Sequence, residues 1–488
     1  MAAVTERPQR SRPVHGPIYK VPLEILSRIF RLVAPPRTRD GMYALLELTH
    51  VCRFWRTALV NNPRAWATIF ASLQDRRSFV EICLERSGSA PLEVAMDVCD
   101  GWEPRPSCTC GTDRRSRLTP NGINPCEWHF TFESFAEARH WKRIRTLNIC
   151  LYNADSGGGQ VMLALGSCRF FHLPPLQLVN LKWNNMYTVY ANNLFSAQPF
   201  PPTLRSLSFN GSWHDQLPKV NNLTSLTLSG YHEGTSAETF RRVMLNNPFL
   251  ETLSVRWINF KHDSNGPPVD LLNIKSFSIA SPHWILPTLI RVPALRRISS
   301  LLLSPTDLRL AGFKFYATGD GIEFTARSDL HTFTEIWEDF TKDARPSIRH
   351  VRIEDPEKLV AGWDEDSAVF TVFLRDAHTL EVGSICSRCW CSDFWGDLKL
   401  LGPQLKTIRF EIPEETEPFR GSEEYWDWGG GWLDAIEDLV VYRFENGRPF
   451  SSVERMVVSD GETANRQQEF VWRWFYNDRR LDRYVQHE

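Results

Sequence analysis

A short apolar pattern recurs along the chain and limits the folds that the chain can adopt. Apolar residues occupy the first, fourth and sixth positions of a strand-like run, and the clearest copies begin at Leu204, Leu223, Leu250, Ile274 and Ile298. Successive starts are 19, 27, 24 and 24 residues apart, close to the spacing of about 20–29 residues at which one class of structural repeat recurs. One copy cannot bury its own apolar side, so we predict that neighbouring copies stack strand beside strand over a shared core.

Less regular copies extend the pattern in both directions, with first positions at Ile144, Leu176, Ile348, Leu405 and Val453. A helical pattern over Ala237–Leu245 separates two of the copies. We therefore predict an α/β fold in which an irregular leucine-rich-repeat-like solenoid of parallel strands occupies residues 92–463, with Leu226 and Leu253 in its core. The repeat count and register between 304 and 347 stay open. A β-rich globular domain with coincidental spacing is the alternative.

Length and composition set bounds on the class of protein. A chain of 488 residues is too long for one ordinary core, and 42% hydrophobic with 23% charged residues is typical of a soluble globular protein. The net charge of −2 gives no reason to predict binding to nucleic acid or to an anionic membrane. Residues 1–17, predicted to be a disordered tail, lack the apolar run of a secretory signal. We therefore predict a cytoplasmic or nuclear location with reduced thiols.

The segment that follows the tail carries two helical patterns. The first begins at Pro22, which suits the first turn of a helix because its missing N–H costs nothing there, and it ends before Pro35-Pro36. The second runs from Leu45 to Leu59 and ends before Pro63. Two or three short helices in so few residues make a small core. We expect their surplus apolar surface to be covered by a partner.

These residues resemble the F-box motif. The resemblance rests on the segments Val21–Leu26, Ile29-Phe30 and Val51–Arg56, together with Trp66. In particular, the chain resembles the large F-box families of mushroom-forming fungi, in which a stretch similar to Arg86–Leu92 follows. Position 21 carries valine where the family more often has leucine, which keeps the apolar character. The alternative is an ordinary helical subdomain packed on its own chain.

The resemblance implies that residues 18–70 form a small all-α F-box domain. Such a domain binds the Skp adaptor, and through it the cullin, of a Skp–cullin–F-box ubiquitin ligase. The resemblance also implies an adaptor without catalytic residues or cofactor, whose repeat region captures a protein substrate that the sequence does not identify. The residues predicted to bind the adaptor belong to the two helical patterns: Pro22, Leu23, Ile25, Leu26, Ile29, Phe30, Leu45, Leu48, Val51, Cys52 and Trp55.

Three further segments lie outside the two main regions or interrupt them. We predict a connecting helix over residues 71–91 and a C-terminal helix or cap over residues 464–488. The insertion at 411–438 holds ten carboxylates and one arginine, and three of its residues are tryptophans. We predict that Trp426 and Trp428 contact a basic target segment. The alternative is that these tryptophans pin the insertion to the repeats.

Two cysteine-rich clusters are the candidates for chemistry. Zinc needs four deprotonated ligands in a tetrahedral array, but one cluster has Cys-x-Cys spacing and the other lacks an obvious fourth ligand. We therefore predict free thiols and no metal site. No phosphate-binding loop, nucleophile elbow or zinc-protease motif occurs in the sequence. The alternative function is an F-box-linked metal-binding or enzymatic module built on these clusters, namely Cys108, Cys110, Cys126 and His129, and Cys386, Cys389 and Cys391.

Overall fold

A computed structural model of the chain divides into two compact units, residues 1–212 and residues 213–488. Each unit is described by itself below. The structure describes residues 21–33, 39–72, 77–97, 135, 138–151, 177–185, 200–210, 220–230, 235–261, 266–280, 285–305, 313–328, 330–342, 346–354, 373–382, 404–413, 439–448, 450, 452–458 and 468–470.

The first unit begins with three helices around a small apolar core. They are α1 (Leu23–Val33), α2 (Arg39–Val51) and α3 (Arg53–Val60). The second helical pattern of the sequence is thus two helices, with Cys52 between them. Cys52 is extended and its sulfur accepts a hydrogen bond from the backbone N–H of Trp55 (3.4 Å), so it caps α3. The break turns α3 back onto α2.

A parallel sheet follows in the first unit. Its strands pair in chain order: β1 (Thr68–Ser72), β2 (Leu92–Asp97), β3 (Ile144–Leu151), β4 (Asn180–Asn185) and β5 (Ser206–Asn210). Helix α4 (Arg77–Arg86) lies within the predicted connecting segment, and the short α5 (Ala138–Trp141) precedes β3. The repeat pattern of the sequence did not reveal β1 and β2. The buried residues of β1 are Ile69 and Ala71. Ala71 stands at the sixth position of the repeat pattern, where alanine gives no clear apolar signal.

The second unit contains a longer sheet. Its strands pair in the order β6-β8-β11-β15-β14-β13-β16-β17-β18-β19-β20, and two short parallel pairs, β7 with β9 and β10 with β12, lie beside it. The helices are α6 (Ala237–Leu245), α7 (Leu286–Leu289) and α8 (Leu330–Thr341), with further helical residues at 439–445. The strands are β6 (Ser225–Ser229), β7 (Thr235–Ser236), β8 (Thr252–Arg256), β9 (Phe260–Lys261), β10 (Val269–Asp270), β11 (Ser276–Ala280), β12 (Ile290–Arg291), β13 (Ile298–Pro305), β14 (Phe313–Gly319), β15 (Ile322–Ser328), β16 (His350–Ile353), β17 (Thr379–Val382), β18 (Thr407–Pro413), β19 (Ser452–Val458) and β20 (Gln468–Phe470).

The gap that the repeat pattern left between 304 and 347 holds a β-hairpin and α8. β14 and β15 are antiparallel and joined by Asp320-Gly321, and Gly321 has a positive φ of 67°, a conformation that glycine adopts without steric cost. The expectation of parallel strands throughout is wrong here, because β14 is antiparallel to both neighbours. It is also wrong at β20, a strand antiparallel to β19 within the predicted C-terminal helix.

One side of each sheet faces the core, as the repeat pattern predicted. Leu226 and Leu253 are fully buried, which confirms the prediction made for them. In the copy that contains β4, the buried residues are Leu178, just before the strand, and Leu181 and Trp183 within it. This copy therefore starts two residues later than the predicted start at 176.

Aromatic side chains of α8 pack against the inner side of the second unit's sheet. The Phe277 and Phe340 rings are 5.3 Å apart, and the Phe324 and Trp337 rings 5.4 Å apart. Helices thus cover the side of the sheet that the apolar pattern marks. The opposite side, which we call the open face, carries the alternate residues of each strand.

Candidate functional site

Helix α1 presents apolar side chains to two different sides. Leu26 and Phe30 are buried in the core of the helical domain, whereas Ile25 is 50% exposed and Leu32 77% exposed. Ile25, Ile29 and Leu32 are spaced by four and three residues, so they lie on one side of the helix. We call Ile25, Ile29, Leu32 and Val33 the exposed face of α1.

Further exposed apolar residues come from α2 and α3. Val51 at the end of α2 is more than half exposed, and Val60 at the end of α3 is about one-third exposed. Isolated exposed apolar residues are common on protein surfaces. Four of them on one eleven-residue helix, however, are typical of a protein-interaction surface.

The core beneath this face is small but closely connected. Leu26, Phe30, Leu45 and Leu59 form its buried cluster. The ring of Trp55 packs edge-on against Phe30 with the centroids 5.1 Å apart. These contacts fix the direction of α1, and therefore the direction of its exposed side chains.

The structure divides the residues predicted to bind the adaptor into three groups. Pro22, Ile25, Ile29 and Val51 are exposed; Leu48, Cys52 and Trp55 are partly buried; Leu26, Phe30 and Leu45 are buried in the core. The side chain of Leu23 lies outside the described residues. The exposed and partly buried side chains have surface that a partner can touch directly, and the buried group supports them from below. Adaptor contact by this set stays a prediction.

Sequence reasoning left Leu32 and Val33 out of the predicted set, although both are exposed. A signal was available, because Leu32 lies seven residues after Ile25 and therefore on the same side of the helix. The periodicity alone did not show which of two apolar sides faces the core. That choice depends on where α2 and α3 pack.

A comparison with protein-family models finds a match to the family described as F-box-like. Residues 18–72 match the F-box-like family. This domain contains α1–α3 and ends at Ser72, the last residue of β1. It indicates an adaptor that binds Skp-type proteins of Skp–cullin–F-box ubiquitin ligases, and F-box proteins are generally adaptors rather than enzymes. A search of curated proteins finds no match to the chain.

The open face of the second unit begins with small hydroxyl side chains. In β6, β8 and β11 the residues on this face are serine or threonine at two successive registers: Ser225, Thr252 and Ser276, then Thr227, Ser254 and Ser278. Five of these six side chains are partly exposed, and Ser254 is buried. Small hydroxyl groups leave room for a partner to approach the strands and can both donate and accept hydrogen bonds.

Charged side chains replace the hydroxyls on the open face of β16–β18. Glu381 is only 7% exposed and lies between two arginines at the same register. One of its carboxylate oxygens contacts Arg409 Nη1 (3.0 Å) and His350 Nε2 (3.3 Å), and the other lies 3.7 Å from Arg352 Nη1. Arginine, glutamate and arginine thus alternate across three strands, with Glu454 of β19 at the next register position.

The pKa of Glu381 reflects this arrangement. Burial alone would raise it, but hydrogen bonds from His350 and Arg409 and the charges of His350 and Arg352 outweigh burial and lower the pKa to about 2. Glu381 is therefore ionised across the physiological pH range. Its carboxylate holds two arginine side chains in place on the open face.

The open face of the first unit carries asparagines on neighbouring strands. Asn180 Nδ2 donates to Thr146 Oγ1 (3.2 Å), and Asn210 Nδ2 donates to Asn184 Oδ1 (2.6 Å). Asn184 Nδ2 in turn lies 3.5 Å from Cys150 Sγ. Polar side chains thus bond to one another along the sheet instead of facing an apolar layer.

The other candidate residues of the sequence lie outside the described residues. This holds for Trp426 and Trp428 and for both cysteine clusters, at 108–129 and 386–391. In the described part of the chain, no three His, Cys, Asp or Glu side chains are grouped so as to hold a metal ion. No helix among these residues has the length and apolar character needed to cross a membrane.

Proposed function

We propose that this chain is the substrate-recognition subunit of a Skp–cullin–F-box ubiquitin ligase. In this proposal the exposed face of α1 docks the Skp-type adaptor, and the adaptor brings the cullin. The open faces of the sheets bind a target protein. The chain itself performs no chemistry and needs no cofactor. The observation that carries the proposal is the set of four exposed apolar side chains on α1, within a segment that matches the F-box-like family.

The adaptor part of the proposal rests on apolar burial. Ile25 is half exposed and Leu32 largely exposed in the chain alone. Fully burying an exposed side chain of this size is favourable by roughly 1.5–3 kcal/mol, and each of the two gains the share of that value set by its exposed area. Val51 of α2 extends the same kind of surface. A compact docking helix with a fixed core below it loses little conformational entropy on binding.

The target-binding part rests on the open faces. We propose that the sheets belong to an irregular leucine-rich-repeat-like solenoid and that the chain is a member of the F-box families of mushroom-forming fungi. Repeat scaffolds of this kind offer long polar surfaces to partners. The identity of the target is not part of the proposal, because one architecture serves unrelated targets. We further propose a cytoplasmic or nuclear location, with no nucleic acid or membrane as partner.

The acidic insertion stays a separate prediction. Trp426 and Trp428 are proposed to contribute to target capture on the composition of residues 411–438 alone. If they do, changing both to alanine lowers target binding without lowering the melting temperature. A lower melting temperature with unchanged partners would show that they pin the insertion instead.

Affinity purification of the full chain tests the proposed function. The wild-type chain should bring down a Skp-type adaptor, a cullin and target proteins. The double variant Ile25→Asp, Ile29→Asp should lose adaptor and cullin but keep, and even accumulate, the targets, which are no longer ubiquitinated. Leu272→Asp is the matched control, because Leu272 is as exposed as the α1 residues but lies in the second unit.

One outcome contradicts the proposal, and another shows that the acidic substitutions are not specific. Retention of the adaptor by the double variant, with an unchanged melting temperature, would show that this face is not the docking surface. Loss of every partner by Leu272→Asp as well would show that any exposed acidic substitution disturbs the chain.

A further inference from the structure

The edge strand of the first unit's sheet is covered by the helical domain. In the described part of the chain, β1 is hydrogen-bonded to β2 and to no other strand. Helices α2 and α4 both contact β1. An edge strand leaves alternate backbone groups unpaired, and proteins cover such edges because an exposed one frays or pairs with other chains. Here the helices are in a position to provide that cover.

One of the unpaired groups faces a residue of α2. The backbone N–H of Phe70, in the middle of β1, points to the thioether sulfur of Met42 at an N–S distance of 2.6 Å. Met42 is buried, although it belongs to a helix of the F-box-like domain. The sulfur is a weak acceptor, and its position between α2 and β1 keeps water away from this backbone group.

A tryptophan connects the start of β1 to the end of α3. The Trp66 side chain is buried and its Nε1–H donates to the backbone oxygen of Leu59 (2.8 Å). Leu59 belongs to the same buried cluster as Leu26 and Phe30 of α1. The Trp66 indole therefore connects this cluster to the residues that lead into β1.

Helix α4 contacts both α2 and the tryptophan that precedes β1. Its Phe79 stacks on Tyr43 of α2, with the ring planes 8° apart and the centroids 5.3 Å apart. Its last residue, Arg86, places the guanidinium 4.4 Å from the centre of the Trp66 ring. Ring contacts thus join α1 to α3 and α2 to α4, while Met42 and Trp66 connect these helices to β1 and to the residues before it.

We propose that the F-box-like domain has a second role, as the N-terminal cap of the first unit's sheet. In this role it resembles the terminal caps that repeat arrays need at their open ends. The opening of β1 then requires separation of the helices from the strand. Because the exposed face of α1 lies on the same cluster, binding of an adaptor there also stabilises the edge of the sheet.

Hydrogen–deuterium exchange on the full chain tests the cap without any partner. Trp66→Phe replaces the indole with a smaller ring and removes its hydrogen bond to Leu59. The lost bond and the cavity left in this buried site should make β1 and β2 amides exchange about tenfold faster. Trp337→Phe is the matched control, since Trp337 is also buried but belongs to α8 of the second unit. It should leave exchange in β1 and β2 unchanged. Unchanged exchange in the Trp66 variant would overturn the cap.

The coupling to the adaptor needs a second measurement and rests on the proposed function. Purified Skp-type adaptor at about 100 times its Kd should slow exchange of β1 amides by up to about 100-fold. If the adaptor binds and these amides exchange as before, the coupling is overturned while the proposed function stands. If the adaptor does not bind, the proposed function fails, and the Trp66 experiment still decides whether the helices cap the sheet.

Discussion

The exposed face of α1 and the open face of the second unit's sheet have opposite chemistry. The first presents isoleucine, leucine and valine to solvent, whereas the second presents serine, threonine and a compensated set of charges around Glu381. Apolar surface gives affinity for any partner with a matching groove. Polar groups give selectivity, because a partner that leaves them unpaired is penalised. The two surfaces therefore suit different kinds of contact.

The largest effect on stability is expected from a substitution on the buried side of α1, compared with one on its exposed side. Leu26→Ala should lower the free energy of unfolding by about 2–5 kcal/mol, because it leaves a cavity in the small core beside Phe30. Ile29→Ala, three residues away and partly exposed, should cost much less but weaken adaptor binding. Urea unfolding and a binding titration measure the two quantities. Equal destabilisation by both variants would show that the two sides are not distinct.

The charged part of the open face gives the next largest effect. Glu381→Gln should lower the free energy of unfolding by about 3 kcal/mol at neutral pH, the value that corresponds to a pKa lowered from 4.5 to about 2. The control is Glu251→Gln, which breaks the exposed pair with Lys275 and should cost less than about 1 kcal/mol.

The pH dependence of that difference has a definite sign. Because folding lowers the pKa of Glu381, its contribution is fully present above the unfolded value near 4.5 and is lost as pH falls toward 2. The gap between wild type and Glu381→Gln should therefore close between about pH 4.5 and 2. A gap that stays constant over this range would contradict the ionic role of Glu381.

A smaller effect is expected at a turn that supports both β6 and β8. Asn247 is fully buried; its Oδ1 accepts from the N–H of Leu223 (2.8 Å) and its Nδ2 donates to the carbonyls of Val220 (3.1 Å) and Val243 (2.7 Å). Asn247→Ala should cost about 2 kcal/mol, because these backbone groups lose their partner. Asn273→Ala, an exposed asparagine with one bond to Pro248, should cost less than about 0.5 kcal/mol. Similar losses in the two variants would contradict this account.

The parts of the fold that the sequence predicted are those in which one apolar period decides the structure. Strands such as β6 and β8 were predicted because leucine or valine occupies all their inward positions, and α1 because its apolar residues recur at helical spacing. β1 was missed because an inward alanine gives no signal. The hairpin β14–β15 was missed because it interrupts the repeat, and its antiparallel pairing depends on a turn between strands that the repeat period does not describe.

The candidate sites were predictable to a lesser degree. The motif located the F-box-like segment, but only the packing of α2 and α3 shows that Leu26 and Phe30 are internal and Leu32 external. Glu381 could not be found, since its partners His350, Arg352 and Arg409 are about 30 residues away in sequence and meet it only through strand register. Register between parallel strands is a property of the whole sheet, not of one segment.

Substitutions of the hydroxyl side chains on the open face should have the smallest effect on stability. Their effect on the binding of target proteins should be the largest. The double variant Thr227→Arg, Ser278→Arg adds two long cationic side chains to the open face, which lies opposite the core side of the sheet. We therefore expect the free energy of unfolding to change by less than about 0.5 kcal/mol, adaptor binding to stay constant, and the co-purified target proteins to fall several-fold.

Asn221→Arg, in the exposed turn before β6, adds the same kind of charge away from this face and should leave the targets unchanged. Quantitative affinity purification of the three chains, each with the adaptor as internal reference, makes the comparison. An unaltered set of targets in the double variant would move target recognition away from the hydroxyl part of the open face. The contrast between an apolar docking surface and a polar recognition surface would then lose its second half.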